Sequence, residues 1–190
     1  MEVIIQETYE AVSRQSALVV AETLNDKPDA VLGLATGSTP LGLYKELIRM
    51  HREEGLDFSQ VTTFNLDEYI GLAPDHPAAY RMFMNRHLFD QVNVPIERTH
   101  LPSGIADDLD RECINYEDAI TASGGIDLQL LGIGHDGHIG FNEPLSSLGS
   151  RTRCKALTPD TIKRNAFAFS SEADVPHRAI TMGVGTILDS

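Results

Sequence analysis

A repeated order of apolar runs followed by helical patterns most constrains the fold of this chain. Strand-like runs over 30–35, 61–66, 99–101, 126–133 and 178–184 alternate with helical spacing over 8–24, 41–54, 77–91 and 107–121, and a further helix starts at the chain end. Strands that are apolar along their whole length are buried on both faces, which is typical of a parallel sheet. We therefore expect a single α/β domain over 1–190, with a mostly parallel sheet covered by helices on both faces.

Charge and hydropathy exclude two classes of partner. The chain has 15 Lys+Arg against 28 Asp+Glu, a formal net charge of −13, so it repels phosphate backbones and we expect no nucleic acid. No apolar run approaches the roughly 18 residues of a membrane span, and the first residues lack the features of a secretory signal. The two cysteines, Cys113 and Cys154, fit no disulfide framework or metal motif. We expect free, buried or half-buried thiols in the cytoplasm.

Ligands of parallel sheets bind beyond the carboxyl ends of the strands. Three polar or glycine-rich segments follow predicted strands, at 36–40, 67–71 and 132–143. The first offers backbone N–H groups and hydroxyls at a helix start, which suits a phosphate or other anion. Its residues are Thr36, Gly37, Ser38, Thr39 and Pro40. A tight turn in which Ser38 or Thr39 caps the helix explains the segment equally well.

The second segment opens with Asp67 and Glu68. Because side chains alternate along a strand, one carboxylate can face the cleft as a general base while the other faces away. A solvated strand end is the alternative interpretation.

The third segment satisfies the glycine spacing of a dinucleotide-binding loop at Gly132, Gly134 and Gly137. However, Gly140 and Pro144 prevent the helix that such a loop needs, and no ribose-binding acid follows about 20 residues later. Nucleoside triphosphate is also not expected, because the chain lacks the lysine of a P-loop after Gly37.

The same segment places His138 between Asp136 and Glu143. Neighbouring carboxylates raise the basicity of an imidazole and fix its tautomer, so the constellation indicates a general acid/base. These groups are also metal-ligand types, but the intervening glycines prevent the helical spacing of a histidine pair, and we expect no metal. His135 is expected only at the rim of a cleft.

Together these segments resemble the glucosamine-6-phosphate deaminase (isomerase) family. The similarity covers LGLATGSTPLGLYKELI (32–48), TTFNLDEYIGL (62–72), LLGIGHDGHIGFNEPLSSLGSRTR (130–153), LTPDTIKRNA (157–166) and ITMGVGTILDS (180–190). The segment GHDGHIGFNEP is specific, because sugar-lactonase relatives share its start but not FNEP. The resemblance implies a three-layer, Rossmann-like fold and conversion of glucosamine 6-phosphate and water into fructose 6-phosphate and ammonia, without metal or organic cofactor.

The resemblance also implies roles for the singled-out residues. Asp67 matches the base that moves a proton from C2 to C1 of the open-chain sugar. His138 matches the ring-opening acid/base, and Asp136 and Glu143 match the carboxylates that orient it. The segment 36–39 matches the loop that receives the phosphate end and the sugar hydroxyls.

Two departures from the family pattern concern the phosphate. Phe167 stands where the family has a phosphate-binding arginine, and Arg164 lies nearby but out of register. Family members also continue beyond residue 190, with a further strand and helix and a phosphate-binding lysine. A dianion held only by N–H and hydroxyl groups binds more weakly, since charge-assisted bonds are roughly twice as strong. A sugar-phosphate-sensing module without turnover, and a sugar-phosphate lactonase of the same fold class, therefore stay open.

A cluster of cations and hydroxyls follows the third segment. Arg153 and Lys155 are two residues apart and project to one side of an extended strand, where both could bind one phosphate. With Ser146 and Ser147, they match the effector site of hexameric family members activated by N-acetylglucosamine 6-phosphate. The resemblance thus implies a homo-oligomer, and a hexamer if allosteric; a solvated basic edge is the alternative.

Overall fold

The computed structural model of the chain describes residues 2–134 and 136–190. Its strands are β1 (Val31–Leu34), β2 (Thr62–Asn65), β3 (Asp67–Tyr69), β4 (Thr99–His100), β5 (Leu128–Gln129), β6 (Arg153–Ala156) and β7 (Arg178–Thr181). Its α-helices are α1 (Tyr9–Asp26), α2 (Leu41–Glu54), α3 (Tyr80–His87), α4 (Leu109–Ala122), α5 (Pro159–Asn165) and α6 (Val184–Leu188). None of the helices in these ranges is long and apolar enough to cross a membrane.

A parallel sheet in the order β4-β2-β1-β5 forms the middle layer, as the alternating pattern predicts. Alternation along β1 divides its side chains between two cores. Leu32 and Leu34 pack on the side of α1, α2 and α3, whereas Val31 packs with Phe64 on the side of α4 and α6. Helices on both faces therefore bury the central strand completely, which confirms the three-layer prediction.

The strand predicted over 178–184 does not join this parallel sheet. It forms β7, the middle strand of a separate antiparallel sheet in the order β3-β7-β6. The physical reason lies at Leu66, where the chain leaves β2 and continues as β3. The Leu66 carbonyl accepts the Met182 N–H at 2.7 Å, so β7 pairs with the continuation of β2.

Three further elements differ from the sequence prediction. The helix expected over 77–91 is shorter, because Leu88 leaves the helical conformation and a 3-10 turn, Phe89–Gln91, follows. The run over 126–133 pairs in a strand only at Leu128–Gln129, before the glycine-rich segment begins. Helix α5 was not predicted; Thr158 caps it by accepting the Thr161 N–H, and Pro159 occupies its first turn.

Close packing of α1 against α2 depends on Gly42. A Cβ at this position would lie 2.2 Å from the Ser13 Oγ and 2.8 Å from the Tyr9 ring. Only glycine allows the two helices to approach this closely, and their approach holds Tyr9 against the loop that precedes α2.

We expect Gly42→Ala to lower the free energy of unfolding by about 1–3 kcal/mol, because the added methyl group overpacks the α1–α2 contact. Urea denaturation measures the change. Gly149→Ala is the matched control, since its Cβ would meet only the Ser147 Oγ, at 4.0 Å. Equal stabilities of the two variants would contradict the packing argument.

Candidate active site

A cleft of about 360 Å³ opens at the carboxyl ends of the parallel strands. In the sheet order β4-β2-β1-β5, the strands that follow β1 are added first on one side of it, as β2 and β4, and then on the other side, as β5. The direction in which strands are added therefore changes between β1 and β5. Crevices at such a switch point are the usual ligand sites of open α/β sheets. The lining combines the three predicted segments with part of α5: Ala35–Thr39, Leu66, Asp67, Tyr80, Gly132–Gly134, His138, Gly140, Phe141, Thr161, Arg164, Asn165 and Phe167.

The loop Thr36–Thr39 lies between β1 and α2 and lines the cleft. Helix α2 begins at Leu41, with Pro40 at the cap position and no side-chain cap hydrogen bond. The interpretation that Ser38 or Thr39 serves as the cap is therefore wrong. Among the described residues, the hydroxyls of this loop make no hydrogen bond, which leaves them available to a ligand.

Tyr9 braces this loop from α1, a contact that sequence reasoning missed. Its hydroxyl lies 2.9 Å from the Thr39 carbonyl oxygen and 3.1 Å from that of Ser38, and it accepts the Gly42 N–H at 2.8 Å. These bonds join residues about 30 positions apart, so no local pattern could reveal them.

Asp67 lies at the start of β3 with only 6 % of its surface exposed. Burial, and secondly the nearby charge of Glu68, raise the pKa of its carboxyl to about 8. Gly140 lies against it, since a Cβ there would be 3.3 Å from Asp67 Oδ2. In the described part of the chain no hydrogen bond engages its oxygens, so the ionised carboxylate could take a proton from a ligand in the cleft.

Glu68 turns away from the cleft, as strand alternation predicts, and holds the start of α3. Its carboxylate accepts the backbone N–H groups of Tyr69, Tyr80 and Arg81 at 2.8–3.0 Å. Burial nevertheless raises the pKa of Glu68, although these hydrogen bonds act in the opposite direction. The interpretation of Asp67 and Glu68 as a solvated strand end is therefore wrong, because both carboxyl groups are buried, each in different surroundings.

His138 is held by a compact loop in which Gly134 is essential. The Gly134 N–H donates to the His138 carbonyl at 2.9 Å, and a Cβ on Gly134 would lie 2.2 Å from the imidazole. The imidazole Nδ1 lies 2.6 Å from Asp136 Oδ1. Desolvation opposes ionisation of Asp136, but its hydrogen bonds with His138 prevail and lower its pKa. The glycine at position 134 therefore makes room for the His138 side chain, and the segment does not have the structure of a nucleotide-binding loop.

Glu143 completes the predicted group around the imidazole. One side-chain donor atom from each of Asp136, His138 and Glu143 lies within 4.8 Å of the other two. Glu143 also accepts the Thr161 hydroxyl at 3.1 Å, which ties it to α5. A divalent cation could use the same donor types, but the pairing of Asp136 with Nδ1 serves to orient an imidazole. His135 lies outside the described residues.

Helix α5 supplies a side of the cleft that sequence reasoning missed. It contributes Thr161, Arg164 and Asn165 at spacings of three and four residues, which is the spacing of one helix face. That periodicity could have revealed the helix. Phe167 follows at the rim, with 85 % of its surface exposed. Tyr80, in the first turn of α3, also lines the cleft, and its hydroxyl lies 3.2 Å from that of Tyr69.

None of the four residues proposed for an effector lines this cleft. Arg153 and Lys155 lie in β6 opposite Thr181 and Ala179, so both occupy the same face of the antiparallel sheet. Ser146 and Ser147 lie in the preceding turn, where the Ser147 hydroxyl accepts the Gly149 N–H. Among the described residues no hydrogen bond joins the serines to the two cations.

The chain is similar to known proteins along its whole length. A family model for glucosamine-6-phosphate isomerases/6-phosphogluconolactonases matches residues 5–190. A glucosamine-6-phosphate deaminase of Hahella chejuensis is 56% identical over 190 residues, which are 100% of this chain and 72% of the relative. One from Thermoanaerobacter pseudethanolicus is 53% identical over 188 residues, 99% of this chain and 74% of the relative.

Among solved structures, the chain is more similar to a deaminase than to a lactonase. A monomeric glucosamine-6-phosphate deaminase of the NagB superfamily superposes with a TM-score of 0.98 at 49% identity, covering 100% of this chain and 79% of that one. A 6-phosphogluconolactonase of Thermotoga maritima superposes with a TM-score of 0.70 at 21% identity, covering 95% of this chain and 76% of that one. The second similarity concerns the fold alone.

We expect the stability difference between the wild type and Asp67→Asn to depend on pH. The folded-state pKa of Asp67, about 8, lies above its ordinary value of 3.8. Between these values the folded chain retains a proton that the unfolded chain has lost, so Asp67 makes unfolding easier as pH rises through this window. Asparagine removes this contribution, and Asp67→Asn should be more stable than the wild type by about 1–3 kcal/mol near pH 8.

Urea denaturation of both proteins at about pH 5 and about pH 8.5 measures the difference. Asp75→Asn, on an exposed loop, is the control and should follow the wild type. Parallel pH profiles for the wild type and Asp67→Asn would contradict the burial argument.

Proposed function

We infer the function of this chain from the family to which it belongs, the glucosamine-6-phosphate isomerases/6-phosphogluconolactonases. We propose that it is an enzyme that converts D-glucosamine 6-phosphate and water into D-fructose 6-phosphate and ammonia. The observation that carries this proposal is the buried carboxylate of Asp67 in one cleft with the hydroxyl-rich loop and the Asp136–His138 pair. The deaminase relatives, at 53–56% identity, support the same reaction.

Ring opening and isomerisation each have a group in the cleft suited to them. His138, oriented by Asp136 and Glu143, moves a proton between the ring oxygen and the C1 hydroxyl as the pyranose opens. Asp67 then takes the proton from C2 while the substrate's own ammonium group gives a proton to O1, and Asp67 returns its proton to C1, which leaves a protonated imine at C2. Water adds to this imine, and ammonia leaves. One carboxylate thus serves both C2 and C1, and the proton that O1 gains comes from the substrate's amine.

The loop Thr36–Thr39 is proposed to receive the phosphate end and the sugar hydroxyls. The loop precedes α2, whose N-terminus has no side-chain cap hydrogen bond. This supports the role, because the N-terminus of a helix favours an anion. The amine of the substrate lies on C2, beside the atom from which Asp67 takes the proton. When protonated, that amine stabilises the aspartate anion and lowers its pKa in the complex.

Two other functions are distinguishable from this one. A lactonase hydrolyses an ester and needs no base at C2 of an open-chain sugar, and the lactonase structure above is similar only in fold. A sensing module would bind the sugar phosphate without turnover. Ammonia release from glucosamine 6-phosphate and hydrolysis of 6-phosphogluconolactone separate the three.

We expect Asp67→Asn to reduce ammonia release at least about 1,000-fold, because the amide cannot act as the base. The variant retains the loop and His138, so it should still bind sugar phosphate. The measurement is ammonia formation together with solvent deuterium incorporated at C1 of fructose 6-phosphate. Asp75→Asn is again the control, and undiminished deuterium incorporation in Asp67→Asn would remove this residue from the mechanism.

We further propose that the enzyme is a cytoplasmic homo-oligomer. In it, Ser146, Ser147, Arg153 and Lys155 form an effector site for N-acetylglucosamine 6-phosphate. The shared face of Arg153 and Lys155 on β6 supports a site for one phosphate. Strand β6 also pairs with β7, which pairs with β3, so Arg153, Thr181 and Asp67 lie in one row across the sheet. This row offers a physical connection between effector and base.

The effector should lower the glucosamine 6-phosphate concentration needed for half-saturation, since it binds the more active state preferentially. We expect a shift of about 5-fold or more that Arg153→Ala abolishes. Arg151→Ala is the control, because Arg151 pairs with Asp189 instead. Sedimentation with and without effector measures the assembly. Superimposable substrate curves, together with a monomer at all concentrations, would contradict the proposal; the monomeric relative is a precedent for that outcome.

A further inference from the structure

The anion-binding part of the cleft has one cationic side chain of the Lys/Arg type among the described residues. Its loop and glycine-rich sides contribute hydroxyls and backbone groups, and only Arg164, on α5, contributes a guanidinium. A sugar phosphate carries up to two negative charges into a chain whose net charge is −13. A local cation would offset this repulsion and form charge-assisted hydrogen bonds with the phosphate.

Arg164 is held in a way that leaves its outer edge available. It lies in the last turn of α5, and its Nε is 2.9 Å from Asp160 Oδ2, one turn earlier. In the described ranges neither Nη group has a hydrogen-bond partner. About half of the side chain, 48%, is exposed. The ion pair fixes the side of the guanidinium facing Asp160, and the two Nη groups remain to donate in parallel to two phosphate oxygens.

The neighbouring positions of the segment cannot supply this charge. Phe167 lines the rim one turn later and has no hydrogen-bonding group. Lys163 is exposed and does not line the cleft. The hydroxyl of Thr161 and the amide of Asn165 lie on the same helix face as Arg164, so α5 presents one cation between two neutral polar groups.

Lys45 is the competing cation. It lies in the second turn of α2 and shares a neighbouring depression with Tyr9, Ser38 and Thr39. It thus reaches the same loop from the opposite side and does not line the cleft that contains Asp67 and His138.

We propose that Arg164 binds the phosphate group of the substrate and is the specificity-determining residue for phosphorylated over unphosphorylated sugar. This assignment rests on the proposed function, and it places the phosphate between α5 and the loop Thr36–Thr39.

The test uses sorbitol 6-phosphate, an open-chain polyol phosphate without a carbonyl group, so its binding is independent of turnover. Isothermal titration calorimetry of the wild-type chain and variants measures the affinity. Arg164→Ala should bind about 10- to 100-fold more weakly, because a charge-assisted pair is lost. Arg164→Lys should be intermediate, since it keeps the charge but not the paired donors. Lys163→Ala and Lys45→Ala should match the wild type.

The outcomes separate this assignment from the proposed function. Equal affinities for the wild type and Arg164→Ala, a loss in Lys45→Ala instead, or no binding to the wild type would each overturn the role of Arg164. Failure of the wild type to release ammonia, with the expected order of affinities, would contradict the deaminase reaction and leave the phosphate site standing. Far-ultraviolet circular dichroism confirms that each variant is folded, and Arg164→Lys reports on the site if the alanine variant is not.

Discussion

Leu66 is hydrogen-bonded to both sheets, and the position of the active site depends on that residue. Its N–H donates to the Leu34 carbonyl of the parallel sheet at 3.0 Å, and its carbonyl accepts the Met182 N–H next to β7 at 2.7 Å. The chain thus passes from one sheet to the other within a single residue. Asp67 follows immediately, so backbone bonds fix a carboxylate at the junction, beside the carboxyl end of β1. Strand alternation then directs Glu68 away from the cleft, where it holds the start of α3.

The elements that the sequence predicted have local signals, and most of the missed features depend on distant partners; α5 is the exception, since it was not predicted although its periodicity is local. Val31–Leu34 and Leu41–Glu54 follow from apolar runs and helical spacing, and the pairing of Asp136 with His138 follows from residues two apart. The antiparallel sheet could not be predicted in this way, because β7 pairs with a strand more than 100 residues earlier. Tyr9 is another case, since its hydrogen bonds to the loop arise only when α1 packs on α2.

Glycine explains why one motif allowed two interpretations. The spacing of Gly132, Gly134 and Gly137 satisfies the dinucleotide pattern, but the structure uses Gly134 to admit the imidazole of His138 against the backbone. In a dinucleotide-binding loop, glycine lets a phosphate approach the backbone closely. In this chain, glycine lets a side chain of the same protein approach the backbone instead. The residues after the glycines therefore decide the function, because they supply the chemistry.

The buried state of Asp67 links stability to catalysis. In the empty cleft, burial raises the pKa of this carboxyl to about 8, so the anion needed for proton abstraction is disfavoured near neutral pH. A protonated amine at C2 of the substrate is the group that reverses this preference, because it places a positive charge beside the carboxylate. The base would thus be activated by the molecule on which it acts. The free energy of substrate binding would offset the unfavourable free energy of ionising Asp67. Without substrate, the carboxyl would stay neutral, and a buried neutral acid destabilises the fold less than a buried charge does.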